Sequence, residues 1–283
     1  AMIQKESVKQ RIEREGSGIS YTEFTYMILQ SYDFAELNKR FGCSLQLGGS
    51  DQWGNITGGI DLTRRLNGEQ VFGLTMPLIT KSDGTKFGKT ESGTIWLDPA
   101  RTSPYAFYQF WLGTADADVY KFLKYFTFLD VAEIEAIERA DAERQGRPEG
   151  QAVLAREVTR LVHGDEGLAA AERITESLFS GTLEALAEGD LQQLRQDGLP
   201  ASTVERSAFP ETVTQMLTEA GMAGSGKQVK DALGRNAVLV NNRALGFEDN
   251  ADVAGSFDPA RALFQRYYLV KLGKKKYHLF EIN

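Results

Sequence analysis

The 283-residue sequence is poor in the residues that hold metals and disulfides. It contains one cysteine, Cys43, and two histidines, His163 and His278. One cysteine excludes an internal disulfide, and these three residues are too few for a Cys/His zinc site. No apolar run approaches the length of a membrane span, and no secretory signal is recognisable. We therefore expect a cytoplasmic protein with no protein-bound metal and no membrane partner.

Charge is distributed unevenly along the chain, whose formal net charge is -7. Residues 131–205 carry 16 acidic and 7 basic side chains, whereas residues 225–283 carry 10 basic and 6 acidic ones. A basic terminal region on an acidic body favours a localised anionic partner over nonspecific binding by the whole surface. A solvated basic hairpin without any ligand is the alternative interpretation.

Hydrophobic periodicity divides the chain into three regions. Residues 1–101 mix helices and strands and predict an α/β domain, residues 102–205 have helical periodicity, and residues 206–283 predict a small α+β domain. In the first region SLQLGG (44–49) is typical of a buried strand. The stretch LPASTVERSAFPET (199–212) is interpreted as a linker.

The segment GTKFGKT (84–90) is similar to a phosphate-binding P-loop that has lost a residue. Only three residues separate its two glycines, whereas the Walker motif requires four. A strand is predicted before it (71–80), but residues 91–99 predict another short strand and not the helix that completes a phosphate cradle. The pattern therefore argues against an NTPase P-loop, and Lys86 and Lys89 need another role.

Two polar clusters point to one crevice. Tyr26, Gln30 and Asp33 are spaced four and three residues apart, so they share one face of a predicted helix. Asp51 and Gln52 follow two glycines at the carboxyl end of a predicted strand, where open α/β sheets bind ligands. Taken alone, the helix face is more typical of a solvated surface than of a binding site.

Three segments carry a family resemblance. TYMILQSYDF (25–34), LQLGGSDQWGN (45–55) and KFGKT (86–90) resemble, in order and spacing, the bacterial tyrosyl-tRNA synthetases, which are class I aminoacyl-tRNA synthetases. KFGKT matches the second signature loop of that class, usually written KMSKS. The resemblance implies a partial Rossmann-like catalytic domain (1–101), an α-helical anticodon-recognition domain (102–205) and a small S4-like RNA-binding domain (206–283).

The resemblance also implies roles for the residues of these motifs. The tyrosine-binding set is Tyr26, Gln30, Asp33 and Gln52, in which Asp33 accepts a hydrogen bond from the substrate phenol. The set that contacts the adenylate and the departing phosphates is Gly49, Asp51, Lys86, Lys89 and Thr90. Mobile lysines suit this task, because charge builds on the leaving pyrophosphate late in the reaction. A buried carboxylate at Asp33 would disfavour phenylalanine, which leaves that carboxylate unpaired.

The C-terminal region resembles an S4-type RNA-binding domain over SGKQVKDALGRNAVLVNN. The implied tRNA contacts are Lys227, Lys230, Arg235, Lys274, Lys275 and Lys276. Lysine and arginine side chains on one surface are typical of backbone-phosphate contacts. The resemblance implies tRNA(Tyr), tyrosine and ATP as partners, with Mg²⁺ accompanying ATP, and a homodimer for the full-length protein.

One departure from the family pattern is large. Class I synthetases carry a first signature of the HIGH type, and no such tetrapeptide occurs in this chain. Ala1 before Met2 is typical of a cloning scar, so we expect the chain to begin partway through a longer protein and to lack activity alone. His163 ends a predicted helix and is not a catalytic candidate. An RNA-binding module without catalytic activity is the alternative function.

Overall fold

The computed structural model describes residues 21–82, 87, 89–90 and 93–283. The chain divides into two compact units, the first reaching Phe87 and the second comprising Gly88–Asn283. Within the described ranges, no helix combines the length and the apolarity needed to cross a membrane. The three domain limits predicted from the sequence stay predictions.

The first unit pairs two helices with two parallel strands. Its elements are α1 (Tyr21–Phe41), β1 (Leu45–Gly49), α2 (Trp53–Asn67) and β2 (Phe72–Met76). Strand β2 confirms the strand predicted over 71–80. Phe34 of α1 is fully buried against α2, where a Cβ on Gly59 would lie 2.8 Å from the Phe34 ring. The helices can approach this closely because position 59 has no side chain.

Among the residues that the structure describes, only one face of the strand pair is covered. A Cβ at Gly73 of β2 would meet Ile56 of α2 at 2.3 Å, so α2 lies directly on this face. The opposite face carries exposed apolar side chains on both strands, among them Leu47, which is 59% exposed. The paired residues Leu47 and Leu74 both belong to this exposed face. The sequence-based prediction of a strand over 44–49 is confirmed, but the prediction that this strand is buried is wrong.

The second unit begins with a short antiparallel hairpin and continues with helices. The hairpin strands are β3 (Lys89–Thr90) and β4 (Gly93–Thr94). The helices that follow are α3 (Pro104–Leu112), α4 (Asp116–Phe126), α5 (Val131–Glu143), α6 (Gly150–Ser180) and α7 (Glu188–Gln193). Ser103 caps α3, since its hydroxyl oxygen accepts a hydrogen bond from Ala106 N at 3.1 Å. The carboxylate of Asp197 accepts from Ser103 N at 2.7 Å and ties this cap to the end of the helical region.

A five-stranded sheet forms the C-terminal part of this unit. Its strands are β5 (Ala201–Val204), β6 (Val238–Val240), β7 (Arg243–Leu245), β8 (Tyr267–Leu272) and β9 (Lys276–Ile282). Its helices are α8 (Val213–Glu219), α9 (Gly226–Leu233) and α10 (Val253–Ser256). The strand order is β5-β9-β8-β6-β7, in which β5 pairs with β9 in parallel and the other pairs are antiparallel. The linker interpretation of residues 199–212 is wrong, because part of that stretch is strand β5.

Both faces of this sheet are buried. Tyr268 and Val270 of β8 belong to a core shared with α8 and α9. Tyr267 and Leu269, on the opposite face of the same strand, belong to a second core that includes Ile174 of α6. Side chains alternate across a strand, so one strand supplies both cores. The helical region and the sheet therefore form one compact unit.

Helix α6 consists of two helical segments that meet in a kink at Gly164. The backbone there has φ +69° and ψ -177°, which is not helical. The preceding residue, His163, packs edge-on against Phe107 with ring centroids 4.8 Å apart. Its Nε2 atom is buried without a hydrogen-bond partner among the described residues. Burial lowers the pKa of His163, so the neutral imidazole is the favoured form in the folded chain.

We predict that stability falls on acidification partly because of His163. An unfolded histidine has a pKa of about 6.5, and burial lowers the pKa in the fold. The contribution of His163 to the free energy of unfolding is thus complete above its pKa in the unfolded chain. This contribution is lost as the pH falls through the lower pKa of His163 in the folded chain. His163→Leu should therefore weaken the dependence of the urea midpoint on pH between about pH 7.5 and about pH 5.5. Some pH dependence should remain in this variant, because His278 is unchanged. If the urea midpoint of His163→Leu depends on pH as strongly as that of the unaltered chain, the role given to His163 is contradicted.

Candidate functional site

The turn that follows β1 lies at the carboxyl edge of the strand pair. Strands β1 and β2 are parallel and in register from Leu45 opposite Phe72 to Gly49 opposite Met76. Ser50–Gln52 form a 3-10 turn that leads into α2. A Cβ at Gly49 would lie 2.6 Å from the Asp51 carboxylate and 3.0 Å from the Leu78 side chain, so a larger residue at position 49 would require these side chains to move.

An amide network joins the turn to α1. The Nδ2 atom of Asn55 donates to Gln30 Oε1 and to Gln52 Oε1, each at 3.1 Å. Gln52 Nε2 in turn donates to Asp51 Oδ2 at 3.1 Å. The two polar clusters that the sequence predicts to converge are thus connected through one side chain.

Sequence reasoning missed Asn55 as a member of this site. It lies three residues after Gln52, at the first turn of α2, which is the spacing at which helical side chains become neighbours. That spacing was the available signal. The contact with Gln30 spans 25 positions and requires the packing of α1 on α2.

Tyr26 and Asp33 lie on α1 one turn before Gln30 and nearly one turn after it. Tyr26 is 56% exposed and Asp33 is exposed. The expectation of a buried carboxylate at Asp33 is therefore wrong for this structure. Gln30 is half-buried, because it contacts Asn55 of the neighbouring helix.

The KFGKT segment is only partly described. Lys86 lies outside the described residues, as do Gly84 and Gly88. Lys89–Thr90 form β3 and pair with Gly93–Thr94 in an antiparallel hairpin. The prediction of a strand and not a helix after the loop is confirmed for Gly93–Thr94, while residues 95–97 belong to no strand. The described backbone thus lacks the helix that a Walker motif requires at this point.

The predicted basic residues lie on two elements of the C-terminal region. Lys227 and Lys230 are exposed on α9, whose opposite face is buried through Val229 and Leu233. Arg235 follows that helix and donates to Asp231 O at 3.1 Å. The three lysines Lys274, Lys275 and Lys276 are exposed at the turn between β8 and β9. Lys276 Nζ donates to Met222 O at 3.3 Å, whereas the side chains of Lys274 and Lys275 make no hydrogen bond or ion pair with described residues.

Curated relatives match almost the whole chain. The tyrosine--tRNA ligase of Aliivibrio fischeri (strain MJ11) is 64% identical over 280 residues, which is 99% of this chain and 64% of the relative. The tyrosine--tRNA ligase of Chromobacterium violaceum is 59% identical over 281 residues, again 99% of this chain and 65% of the relative. The chain thus spans a little less than two thirds of the length of these relatives.

A solved structure and two family models also match. The crystal structure of a C-terminally truncated Aspergillus nidulans mitochondrial tyrosyl-tRNA synthetase superposes with a TM-score of 0.51 at 35% identity, over 62% of this chain and 50% of that chain. The model of the tyrosine--tRNA ligase SYY-like C-terminal domain matches residues 190–280. The model of the class I tRNA synthetases (W and Y), which are Rossmann-like α/β proteins, matches residues 1–180. The chain therefore belongs to the class I tRNA synthetase family.

Proposed function

We propose that the chain acts in the ATP-dependent ligation of tyrosine to tRNA(Tyr). The observation that carries the proposal is the Asn55 amide, which connects Gln30 of α1 to Gln52 after β1. These two glutamines are the residues proposed to bind the ammonium and carboxylate groups of one amino acid. Their connection supports a single site for a zwitterionic substrate, and the relatives named tyrosine--tRNA ligase favour tyrosine.

In this proposal each side chain of the first unit has a distinct task. Tyr26 and Gln30 bind the substrate ammonium, Gln52 contacts the carboxylate end, and Asp33 accepts a hydrogen bond from the phenol. Hydrogen bonds to charged groups are worth about 1.5–3 kcal/mol each, so several of them in one cluster give useful affinity. Asp51 and the Gly49 backbone contact the ribose, since a glycine has no side chain to keep a ligand away from its backbone.

The phosphates are assigned to the KFGKT segment. Lys86, Lys89 and Thr90 would stabilise the charge that develops on pyrophosphate as it leaves. Mg²⁺ is proposed to arrive with ATP, bound by phosphate oxygens and water more than by protein, as is usual for this ion. The described part of the segment supports a role as a loop, because Lys89–Thr90 form a strand of only two residues.

The second unit is proposed to bind tRNA. Residues 102–205 would recognise the anticodon region, and residues 206–283 would act as an S4-like domain through the lysines of α9 and of the β8–β9 turn. The exposure of these cations and the small α+β architecture support this assignment. The homodimer and the cytoplasmic setting are part of the same proposal, as they are usual for the family.

A chimera tests the catalytic part. In it, this chain replaces the matching 280-residue stretch of the Aliivibrio fischeri enzyme. We expect tyrosine-dependent ATP–pyrophosphate exchange from the chimera, and Asp33→Ala should lower its preference for tyrosine over phenylalanine by roughly 10- to 100-fold, the worth of one charged hydrogen bond. The measurement is kcat/KM for both amino acids.

The matched control for this test is Asp61→Ala. Asp61 is an aspartate of α2 that pairs on the surface with Arg64 and Arg65 at 2.9 and 2.8 Å. It should leave the preference unchanged, because exposed pairs contribute little. Exchange with an unchanged preference in Asp33→Ala would remove Asp33 from the site, and a chimera without exchange would contradict the proposed ligase function.

Asn55 gives a second prediction as a positioning residue. Asn55→Ala removes the donor shared by Gln30 and Gln52, so both glutamines lose their fixed orientation. We expect the KM for tyrosine in the chimera to rise roughly tenfold, equivalent to one or two neutral hydrogen bonds, with a smaller change in the KM for ATP. Thr57→Ala is the control, since Thr57 bonds only to backbone of its own helix turn. Equal effects of the two substitutions would contradict the positioning role.

The chain by itself allows a third prediction. Without a HIGH-type signature it should show no exchange, yet it should bind tRNA with an affinity that falls as salt rises. The slope of log K for tRNA binding against log salt concentration measures this effect. Replacing Lys274, Lys275 and Lys276 with alanine should reduce the steepness of that slope by about 0.7–0.9 for each phosphate that these lysines neutralise. Filter binding at several salt concentrations measures the slope. Salt-independent or absent binding would contradict the role of the basic turn.

Binding without catalysis is the second candidate function of the chain alone. The exposure of Tyr26 and Asp33 favours it, because neither side chain is enclosed by described residues. Exchange by the chain itself would contradict this candidate. Exchange by the chimera together with tRNA binding by the chain would support both assignments.

A further inference from the structure

A cavity of about 310 Å³ lies beside the basic turn of the second unit. Its lining consists of Leu199–Pro200, Ala220–Met222 and Lys275–His278. These segments precede β5, follow α8 and begin β9. The volume is near the lower end of the range of about 300–1,000 Å³ in which proteins bury small ligands.

Cations and an apolar wall meet at this cavity. Lys276 Nζ is held at Met222 O, 3.3 Å away, so it links the β8–β9 turn to the segment after α8. Lys275 is exposed and makes no bond with any residue that the structure describes. His278 is buried and its Nε2 lies 2.9 Å from Ser202 Oγ. Burial lowers the pKa of His278, so the lysines are the positive groups at the cavity near neutral pH.

An aromatic wall is fixed beside these cations. Tyr277 donates its hydroxyl to Leu178 O at 2.9 Å, and Lys271 Nζ lies 5.2 Å from the centre of its ring. The residue after Leu178 is Phe179, whose side chain is 94% exposed at the end of α6. Phe179 thus follows the residue whose carbonyl Tyr277 binds, and a large aromatic side chain in water is suited to stacking on a base.

We propose that this cavity binds one unpaired nucleotide of an RNA strand, with the base against Met222 and Tyr277 and the phosphate at Lys275. The proposal deepens the tRNA binding proposed above and depends on it. An inorganic anion would use the lysines and leave the apolar wall without a partner. A paired base is stacked within its helix and cannot enter a cavity. The exposed Phe179 favours a strand over a free nucleotide, because it offers a surface for a neighbouring base.

The test uses the chain itself and two synthetic RNAs. One is a hairpin whose loop contains a single photoreactive thiouridine, and the other is a fully paired duplex with the same base composition. Lys275→Ala is compared with Lys39→Ala, a change of an exposed lysine on α1 that does not line the cavity and has no proposed role in RNA binding. Thermal unfolding checks that both variants fold.

We expect the loop RNA to crosslink to the cavity segments and to bind more tightly than the duplex. Lys275→Ala should weaken loop binding roughly tenfold, whereas Lys39→Ala should weaken it about twofold or less, because a lysine far from the bound phosphate contributes only through long-range electrostatics. Mononucleotide added in excess should reduce the crosslink.

Two results would overturn the inference in different ways. Binding of both RNAs with equal effects of the two lysine variants, or with crosslinks only outside the cavity segments, contradicts the nucleotide site and leaves the proposed tRNA binding intact. Failure of both RNAs to bind at low salt contradicts the tRNA binding as well.

Discussion

The architecture of the second unit depends on the burial of strand β8 on both faces. Tyr268 and Val270 fill the core under α8 and α9, while Tyr267 and Leu269 fill the core under the helical region. Burial on both faces normally requires a continuous run of apolar residues. The first four residues of β8 form such a run, and all four are buried. Strand β9 pairs with β8 along its length, so both ends of the basic turn between them are held by paired strands. The positions of its lysines, and of the cavity beside them, therefore follow from the core.

The first unit is organised by a different constraint, the close approach of α1, α2 and the turn after β1. Small residues permit it: Gly59 faces Phe34, and Gly49 allows the turn to close over Asp51. Once these segments are close, one asparagine can satisfy two glutamines at once. Neutral amides suit a zwitterionic ligand, because they orient both of its charged ends without introducing a buried net charge. The site is thus a product of packing more than of any single functional residue.

The sequence predicted those features that depend on local order. The helix face of Tyr26, Gln30 and Asp33, the strand before KFGKT and the mixed α/β class all follow from spacing and turn residues. Two features that depend on distant partners were missed. The stretch 199–212 has the composition of a linker, and only its pairing with β9 makes part of it a strand. Leu47 has the composition of a buried residue, yet burial requires a neighbour on that face, which periodicity cannot supply.

The two candidate sites differ in how their interactions respond to solvent. Contacts between exposed lysines and phosphates weaken with ionic strength, because they depend on counterion release and act across water. The Gln30–Asn55–Gln52 network acts through short hydrogen bonds between neutral groups, which salt screens little. Each unit also has internal packing of its own, since the described cores of residues 105–282 lie wholly within the second unit. The proposed RNA binding by the second unit therefore does not require the proposed tyrosine site to be assembled, and we expect variants that lose one of these activities to keep the other.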